Sequence, residues 1–254
     1  MIGEYPFSVQ QIQPQIEDVF TKLQTWLHDD AKAILHCYLL QFGVDIVAPP
    51  AFVLFSARIF SSAESAIYPA LFLLLIHLAM TMHNIPRRIK GRGKQLVILE
   101  GDYLYAHLLF ILYQTGCLNL LERFSRLIRE MNEGTVMRRL YEQGGLIMAG
   151  DQMKEILGKQ YGLFFAECCD LGGLFAGQQQ AEVSLLRQFG NDFGIAYGAQ
   201  EAGLGPAVYE PLLDQAFGLL DDLQVAKEKD DLKEYARQLV VAPKGLKFRS
   251  AVQA

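Results

Sequence analysis

Apolar residues recur at helical spacing along almost the whole chain, and in three stretches they leave almost no polar face. Between 120 and 131, Leu120, Leu121, Phe124, Leu127, Ile128 and Met131 fall at i, i+1, i+4, i+7, i+8 and i+11. Glu122, Arg123, Arg126, Arg129 and Glu130 occupy the other side. The stretch 212–223 repeats the pattern with Leu212, Leu213, Ala216, Phe217, Leu219, Leu220 and Leu223, and 183–197 does so with Val183, Leu186, Phe189, Phe193 and Tyr197. A period near 3.6 puts such residues on one helix face. No segment alternates apolar and polar residues for long, so the spacing predicts an all-α protein. The stretches 70–82, 103–113 and 163–176 are apolar nearly all round. A helix of that kind belongs in the middle of a bundle or in a subunit interface.

The breaks between these segments are short: Pro49-Pro50, Pro86 with Gly91 and Gly93, Thr115-Gly116, Gly144-Gly145, Gly203 to Pro206, and Lys227 to Asp231. None is long enough for an interdomain linker. The 254 residues therefore predict one helical domain over 1–242, followed by an irregular tail over 243–254 that lacks helical periodicity. The longest apolar stretch, Ala66 to Met82, is interrupted by Pro69, His77 and Thr81, whereas a membrane span needs roughly 20 mainly apolar residues. No basic segment followed by an apolar run opens the chain, so the expectation is a soluble, cytoplasmic protein that is not transmembrane. Four cysteines, two of them adjacent (Cys168 and Cys169), make no disulfide framework. A net charge of −5 implies no general surface for nucleic acid. The local basic cluster Arg87, Arg88, Lys90, Arg92 and Lys94 stands out against it.

Five segments carry a family resemblance. Val97 to Ala106 (VILEGDYLYA) is similar to the "LAGDYLLA" helix start of the trans-polyprenyl diphosphate synthases. Glu130 to Gly134 (EMNEG) resembles their "E-x-x-E-G", and Lys159 to Ala166 (KQYGLFFA) their "K-T-A-x-L-F". Cys168 to Gly177 (CCDLGGLFAG) resembles "A-x-x-L-G-A-x-x-A-G", and Arg187 to Tyr197 (RQFGNDFGIAY) "L-x-x-Y-G-x-x-L-G-x-A-F". Their order and spacing cover about residues 50–225.

The resemblance implies a single-domain isoprenoid-synthase-like helical bundle with a central cavity. Active members join an allylic diphosphate to isopentenyl diphosphate by ionisation, condensation and elimination. Two D-D-x-x-D motifs on facing helices hold Mg²⁺ through carboxylate oxygens, and the ions neutralise the leaving diphosphate as the cation forms. Here the first motif's three Asp positions carry Asn84, Ile85 and Arg88, and the second retains one carboxylate, Glu201, after Gly198. On this pattern the chain has no catalytic residue and no metal ligand, and Mg²⁺ is expected only on a catalytic partner. Gly91 to Lys94 is similar to the family's "R-R-G-K" diphosphate segment, which makes Arg92 and Lys94 candidate diphosphate-binding residues. Lys159 joins them, at the position of a lysine that faces substrate phosphate in active members.

The resemblance extends to the small component of bacterial heptaprenyl or hexaprenyl synthases. It implies a non-catalytic or regulatory subunit of a heteromeric long-chain polyprenyl diphosphate synthase, paired with a catalytic subunit. The alternative is a stand-alone homodimer that holds a prenyl diphosphate or lipid. A repurposed terpene cyclase is disfavoured, because no replacement carboxylate cluster is present. Among the remaining polar residues, His77 and His83 stand six apart and point about 120° from one another on a helix, as hydrogen-bonded histidines rather than a metal pair. His36 and Cys37 have no ligand partner at usable spacing. His28-Asp29-Asp30 predicts a solvated helix end. Asp221-Asp222 and Asp230-Asp231 predict exposed faces or a turn, and Asp102 reads as a cap. Gly134, Gly172, Gly173 and Gly177 predict close helix packing.

Overall fold

Pro49 and Pro50 open a central helix rather than separating two. Ahead of them Asp45 Oδ1 accepts hydrogen bonds from the Val47 and Ala48 amides, each at 3.0 Å. This satisfies N–H groups that a helix start leaves unpaired, and proline is tolerated in a first turn. The computed structural model describes residues 7–33, 45–84, 93–145, 150–178, 180–223 and 228–241. The regular elements among them are helical: α1 (Gln13–Trp26), α2 (Ala48–Phe60), α3 (Ile67–Asn84), α4 (Gly93–Gln114), α5 (Leu121–Gln143), α6 (Gly150–Leu157), a π turn (Gly158–Gly162), α7 (Leu163–Phe175), α8 (Gln180–Glu201), α9 (Pro206–Asp221) and α10 (Glu228–Val241). The tail over 243–254 lies outside the described residues.

Of the three stretches that are apolar nearly all round, two lie at the centre of the bundle. Helix α3 is buried from Pro69 to Ile76 without a break, and α7 from Phe164 to Gly173. Helix α7 packs against both α2 and α8, α3 lies against α2 and α4, and α10 closes over α2. Contact between α7 and its neighbours is backbone to backbone. A Cβ on Gly172 would stand 2.3 Å from the Val53 carbonyl oxygen of α2, and one on Gly190 of α8 would stand 2.4 Å from the Phe165 oxygen. Phe52, Phe165 and Phe193 meet across that seam with ring centroids 4.6 to 5.0 Å apart. Gly134 and Gly173 are close-packed as expected. Gly177 is not: it ends α7 at φ +78° with nothing near its missing Cβ, a left-handed helix stop.

The interruptions assigned to the long apolar stretch do not survive folding. Pro69 falls in the first turn of α3 and His77 is buried within it, so the helix runs through both. By length and composition Ala63–Asn84 and Gly93–Gln114 are long and apolar enough to cross a membrane. For the first, 72% of the apolar window is buried inside the bundle, and its apolarity is that of a core helix. For the second only 33% is buried, because α4 packs chiefly on α3 and turns Leu96, Leu99, Leu109, Phe110 and Tyr113 outward. Near the C-terminus, the predicted break over 227–231 is narrower than expected. Helix α10 already starts at Glu228, with Glu228, Asp230 and Asp231 in its first turn, where negative charge suits the helix dipole.

Arg123 departs from its expected place on a solvated face. Its Nε donates to Glu167 and its Nη2 to Asp170, two carboxylates of α7 that are almost wholly buried. Arg187 of α8 reaches the same pair at 3.1 and 3.2 Å. Two arginines and two acids thus tie α5, α7 and α8 together, and burial holds the Arg123 pKa down to about 10. Breaking one member leaves an uncompensated buried charge. Arg123→Met is expected to lower the unfolding free energy in urea by about 3 kcal/mol, whereas replacing all four charges by apolar residues of similar volume recovers most of that loss.

Candidate functional site

At one end of the bundle, called its mouth below, α3 meets α5 through Asn84 and Arg139, and the π turn joins α5 to α8. Asn84 closes α3 by donating from Nδ2 to the Met80 carbonyl at 3.0 Å. Its Oδ1 accepts a hydrogen bond from Arg139 Nη2 of α5 at 3.2 Å. The π turn, with its wider loop of backbone, directs successive side chains to different helices. Lys159 and Gln160 go to α5, where the absence of a Cβ on Gly134 lets them approach. Tyr161 goes to α8, where its ring lies 6.0 Å from that of Tyr197 and against Gly198. The space at Gly198 is therefore filled from the side by an aromatic ring.

Lys159 is held by two carboxylates. Its Nζ donates to Glu130 Oε2 at 2.5 Å and to Glu133 Oε2 at 2.8 Å. The Glu130 bond, then the Glu133 bond, raises the lysine pKa, and the same Lys159 bond lowers that of Glu130. To reach a phosphate Nζ would have to leave both acids. Glu133 lies within α5 rather than at its end, and its role is this pairing. Arg138 is likewise engaged, by Glu142 at 2.9 Å. Gln160 donates to Thr135 Oγ1 at 3.3 Å.

The two histidines of α3 have separate roles. His83 Nε2 lies 3.1 Å from Asp102 Oδ1, its ring occupying the space left by Gly101, where a Cβ would stand 2.4 Å away. Asp102 is thus not a cap. It sits inside α4, because that helix begins at Gly93, well before the segment that marked its start. His77 lies largely buried beside Phe164, and burial lowers its pKa to about 4 against the opposing effect of a hydrogen bond that the ring donates to the Asp45 backbone carbonyl. Its Nε2 has no partner among the described residues.

Of the candidate residues, Lys94 is exposed in the first turn of α4 and Glu201 ends α8. Ile85, Arg88 and Arg92 lie outside the described residues, as do His36 and Cys37. Asp29 is exposed at the start of a helical segment and pairs with Lys32 at 2.8 Å, as Asp221 does with Lys233 at 2.8 Å. Among the described residues, no three His, Cys, Asp or Glu side chains form a group that could hold a metal ion. The donor set at the mouth does not fit one: Asn84 presents a neutral amide already bound to a guanidinium. Sequence reasoning missed Arg139. Its signal is that Glu142, the acid within one turn of both arginines, goes to Arg138, and Thr135 and Gln143 flank Arg139 four residues away.

The family model for "Polyprenyl synthetase" matches residues 53–201. Comparison with curated proteins by sequence gives no match. Among solved structures, the chain is similar to a polyprenyl synthase from Caulobacter crescentus complexed with calcium and isoprenyl diphosphate, at 18% identity and TM-score 0.76, covering 95% of this chain and all (100%) of that one. It is similar to a geranylgeranyl pyrophosphate synthase from Corynebacterium glutamicum at 16% identity and TM-score 0.75, covering 94% and 98%. A mint heterotetrameric geranyl pyrophosphate synthase shares the fold at 17% identity and TM-score 0.69, covering 92% and 99%.

The His77 imidazole gives the middle of α3 a pH signature. Because the folded-state pKa of His77 is about 4, below the unfolded value of 6.5, only the unfolded chain takes up a proton as the pH falls between them. The stability due to this site is fully present above pH 6.5 and is lost as the pH falls to 4, by about 3 kcal/mol. Urea titrations of the wild type and His77→Phe are expected to diverge across that window, the variant showing the shallower fall. Parallel curves would exclude a buried neutral His77.

Proposed function

Because the chain belongs to the polyprenyl synthetase family, we propose that it is the non-catalytic or regulatory subunit of a heteromeric long-chain polyprenyl diphosphate synthase. The observation that carries this reading is the bond from Arg139 to Asn84. At the position the resemblance assigns to the first metal-binding carboxylate, a fixed cation faces a neutral amide, and a divalent ion there would meet positive charge. Mg²⁺ would then be held by a catalytic partner, and this chain would contribute apolar interior and a docking face.

The docking face supports a partner. Helix α4 exposes Leu96, Ile98, Leu99, Leu109, Phe110 and Tyr113, and α5 adds Leu121, Val136 and Leu140. Leu99, Tyr113 and Leu140 are more than 60% exposed, a density of large apolar side chains that marks an interaction surface. Obligate interfaces resemble a domain core cut in half. The mint synthase is described as heterotetrameric, so the fold is compatible with assembly from unlike chains. The proposed partner is a motif-bearing prenyl synthase subunit. A cytoplasmic setting fits Cys117, Cys168 and Cys169, which are free thiols.

The second reading, a homodimer that binds a prenyl diphosphate without transferring it, is favoured by the same arginine, which supplies a cation without a metal. The readings separate by activity and mass. The pure protein with Mg²⁺, geranylgeranyl diphosphate and isopentenyl diphosphate is expected to give no elongated product. Adding a prenyl synthase subunit that carries both Asp-rich motifs should give long-chain product and a mixed complex by native mass spectrometry. Elongation by the isolated chain at ordinary enzymatic rates would overturn the proposal.

A further inference from the structure

Among the described residues, the mouth holds one arginine whose charge is not answered by a carboxylate. Arg138, its neighbour, is taken by Glu142. Lys159 is taken by Glu130 and Glu133. Arg139 has no carboxylate within 4.0 Å among the described residues, and its only hydrogen bond there goes from Nη2 to the neutral Asn84 side chain. Its Nε is shut off from solvent and has no partner among the described residues. With Nε closed off and one bond taken by Asn84, the outer Nη donors are left for an oxyanion, and their planar arrangement suits a phosphate or carboxylate.

Asn84 explains why the guanidinium stays open. An aspartate at 84 would form an ion pair with Arg139 and neutralise it. The amide orients the same group through one hydrogen bond and leaves its charge available. The pair therefore works as a cation site in which the positive charge is covalently part of the chain, with no need for a divalent ion. This element deepens the functional reading above and rests on it for the class of ligand, since a diphosphate is the anion a member of this family meets.

We infer that Arg139, oriented by Asn84, forms a metal-independent diphosphate site at the mouth of the bundle. The same chemistry would recognise free inorganic diphosphate or the headgroup of a prenyl diphosphate, and titration with each tells them apart. Isothermal titration of the full chain in excess EDTA is expected to show binding of geranylgeranyl diphosphate. An affinity at least tenfold above that for inorganic diphosphate assigns the headgroup of an apolar ligand, and equal affinities assign the free anion.

Arg139→Gln should weaken binding about 10- to 100-fold, the loss of a charge-assisted contact. Arg139→Lys should fall between, retaining charge without the planar fork. Asn84→Asp should weaken binding by closing the arginine, and adding Mg²⁺ should not rescue it. Arg126→Gln, on the exposed face of α5, should bind as the wild type does, which excludes a diffuse charge effect. Thermal midpoints report folding, and Asn84→Asp and Arg139→Lys keep the test decisive if Arg139→Gln does not fold. The inference is overturned if neither diphosphate binds in EDTA, if Arg139→Gln binds as the wild type does, or if Asn84→Asp binds more tightly with Mg²⁺ than the wild type. Elongation by the isolated chain would remove the subunit reading and leave this site standing. Wild-type-like binding by Arg139→Gln would remove the site and leave the subunit reading standing.

Discussion

Backbone contact along α7 sets the positions of everything else. With Gly172 against the Val53 carbonyl and Gly190 against that of Phe165, three helices approach more closely than side chains would allow. Dispersion contacts then run along the seam, and the phenyl rings of Phe52, Phe165 and Phe193 must interleave to fill it. A helix pinned so tightly cannot rotate. The turn that precedes it must therefore carry any adjustment, and the π turn does this by taking an extra residue into its loop. The seam continues past it: a Cβ on Gly194 would stand 2.5 Å from the Tyr161 carbonyl oxygen. Lys159, Gln160 and Tyr161 are thus distributed to α5 and α8 as a consequence of packing two turns away.

The four-charge cluster acts on the same helices by a different means. Burying Glu167 and Asp170 carries a desolvation cost that two guanidinium groups offset without clearly exceeding. Its effect is on register. Glu167 and Asp170 lie three apart on one face of α7, and Arg123 can bridge both only when α5 stands at one height against that face. Arg187 imposes the same condition on α8. Apolar side chains would tolerate a shift of a turn, but the charges do not. The height of α5 in turn decides which of its residues reach the mouth. Arg139 meets Asn84 because Arg123, more than four turns earlier, has been fixed.

The helices were legible in the sequence because burial imposes a period and the period is local. Val183, Leu186, Phe189 and Phe193 are all fully buried, as their spacing requires, and Gly172 packs as closely as expected. What was misread depends on partners far away in the chain. Arg123 shares its periodic position with Arg126 and Arg129, and only α7, forty residues on, makes it different. The two acids of that helix were hidden by their apolar neighbours, since a stretch such as 163–176 is apolar on average and charged at two points. Asp102 looked like a cap because the family segment begins just before it, while the helix itself starts at Gly93. Gly177 follows the same motif as Gly172, yet serves as a stop, because a packing glycine and a left-handed one carry the same letter. At the mouth the resemblance pointed to the end of α3, through the absence of acids. It could not show that a cation stands in front of that absence.

The pairing of Arg139 with Asn84 decides what the mouth can recognise on the proposed reading. Carboxylate pairs create a site that is negative by itself and binds an anion only through metal ions, so its affinity depends on the metal as well as the ligand. A guanidinium facing an amide is positive by itself. It needs no ion and remains charged across the range in which proteins work. It also cannot do what a divalent ion does at a departing diphosphate, because one delocalised charge gives much weaker electrostatic stabilisation to the several charges that develop there. On the proposed reading, a mouth built in this way favours holding a diphosphate over releasing one. The expected lack of elongation and the proposed binding then follow from a single feature, a guanidinium that faces an amide at the end of α3.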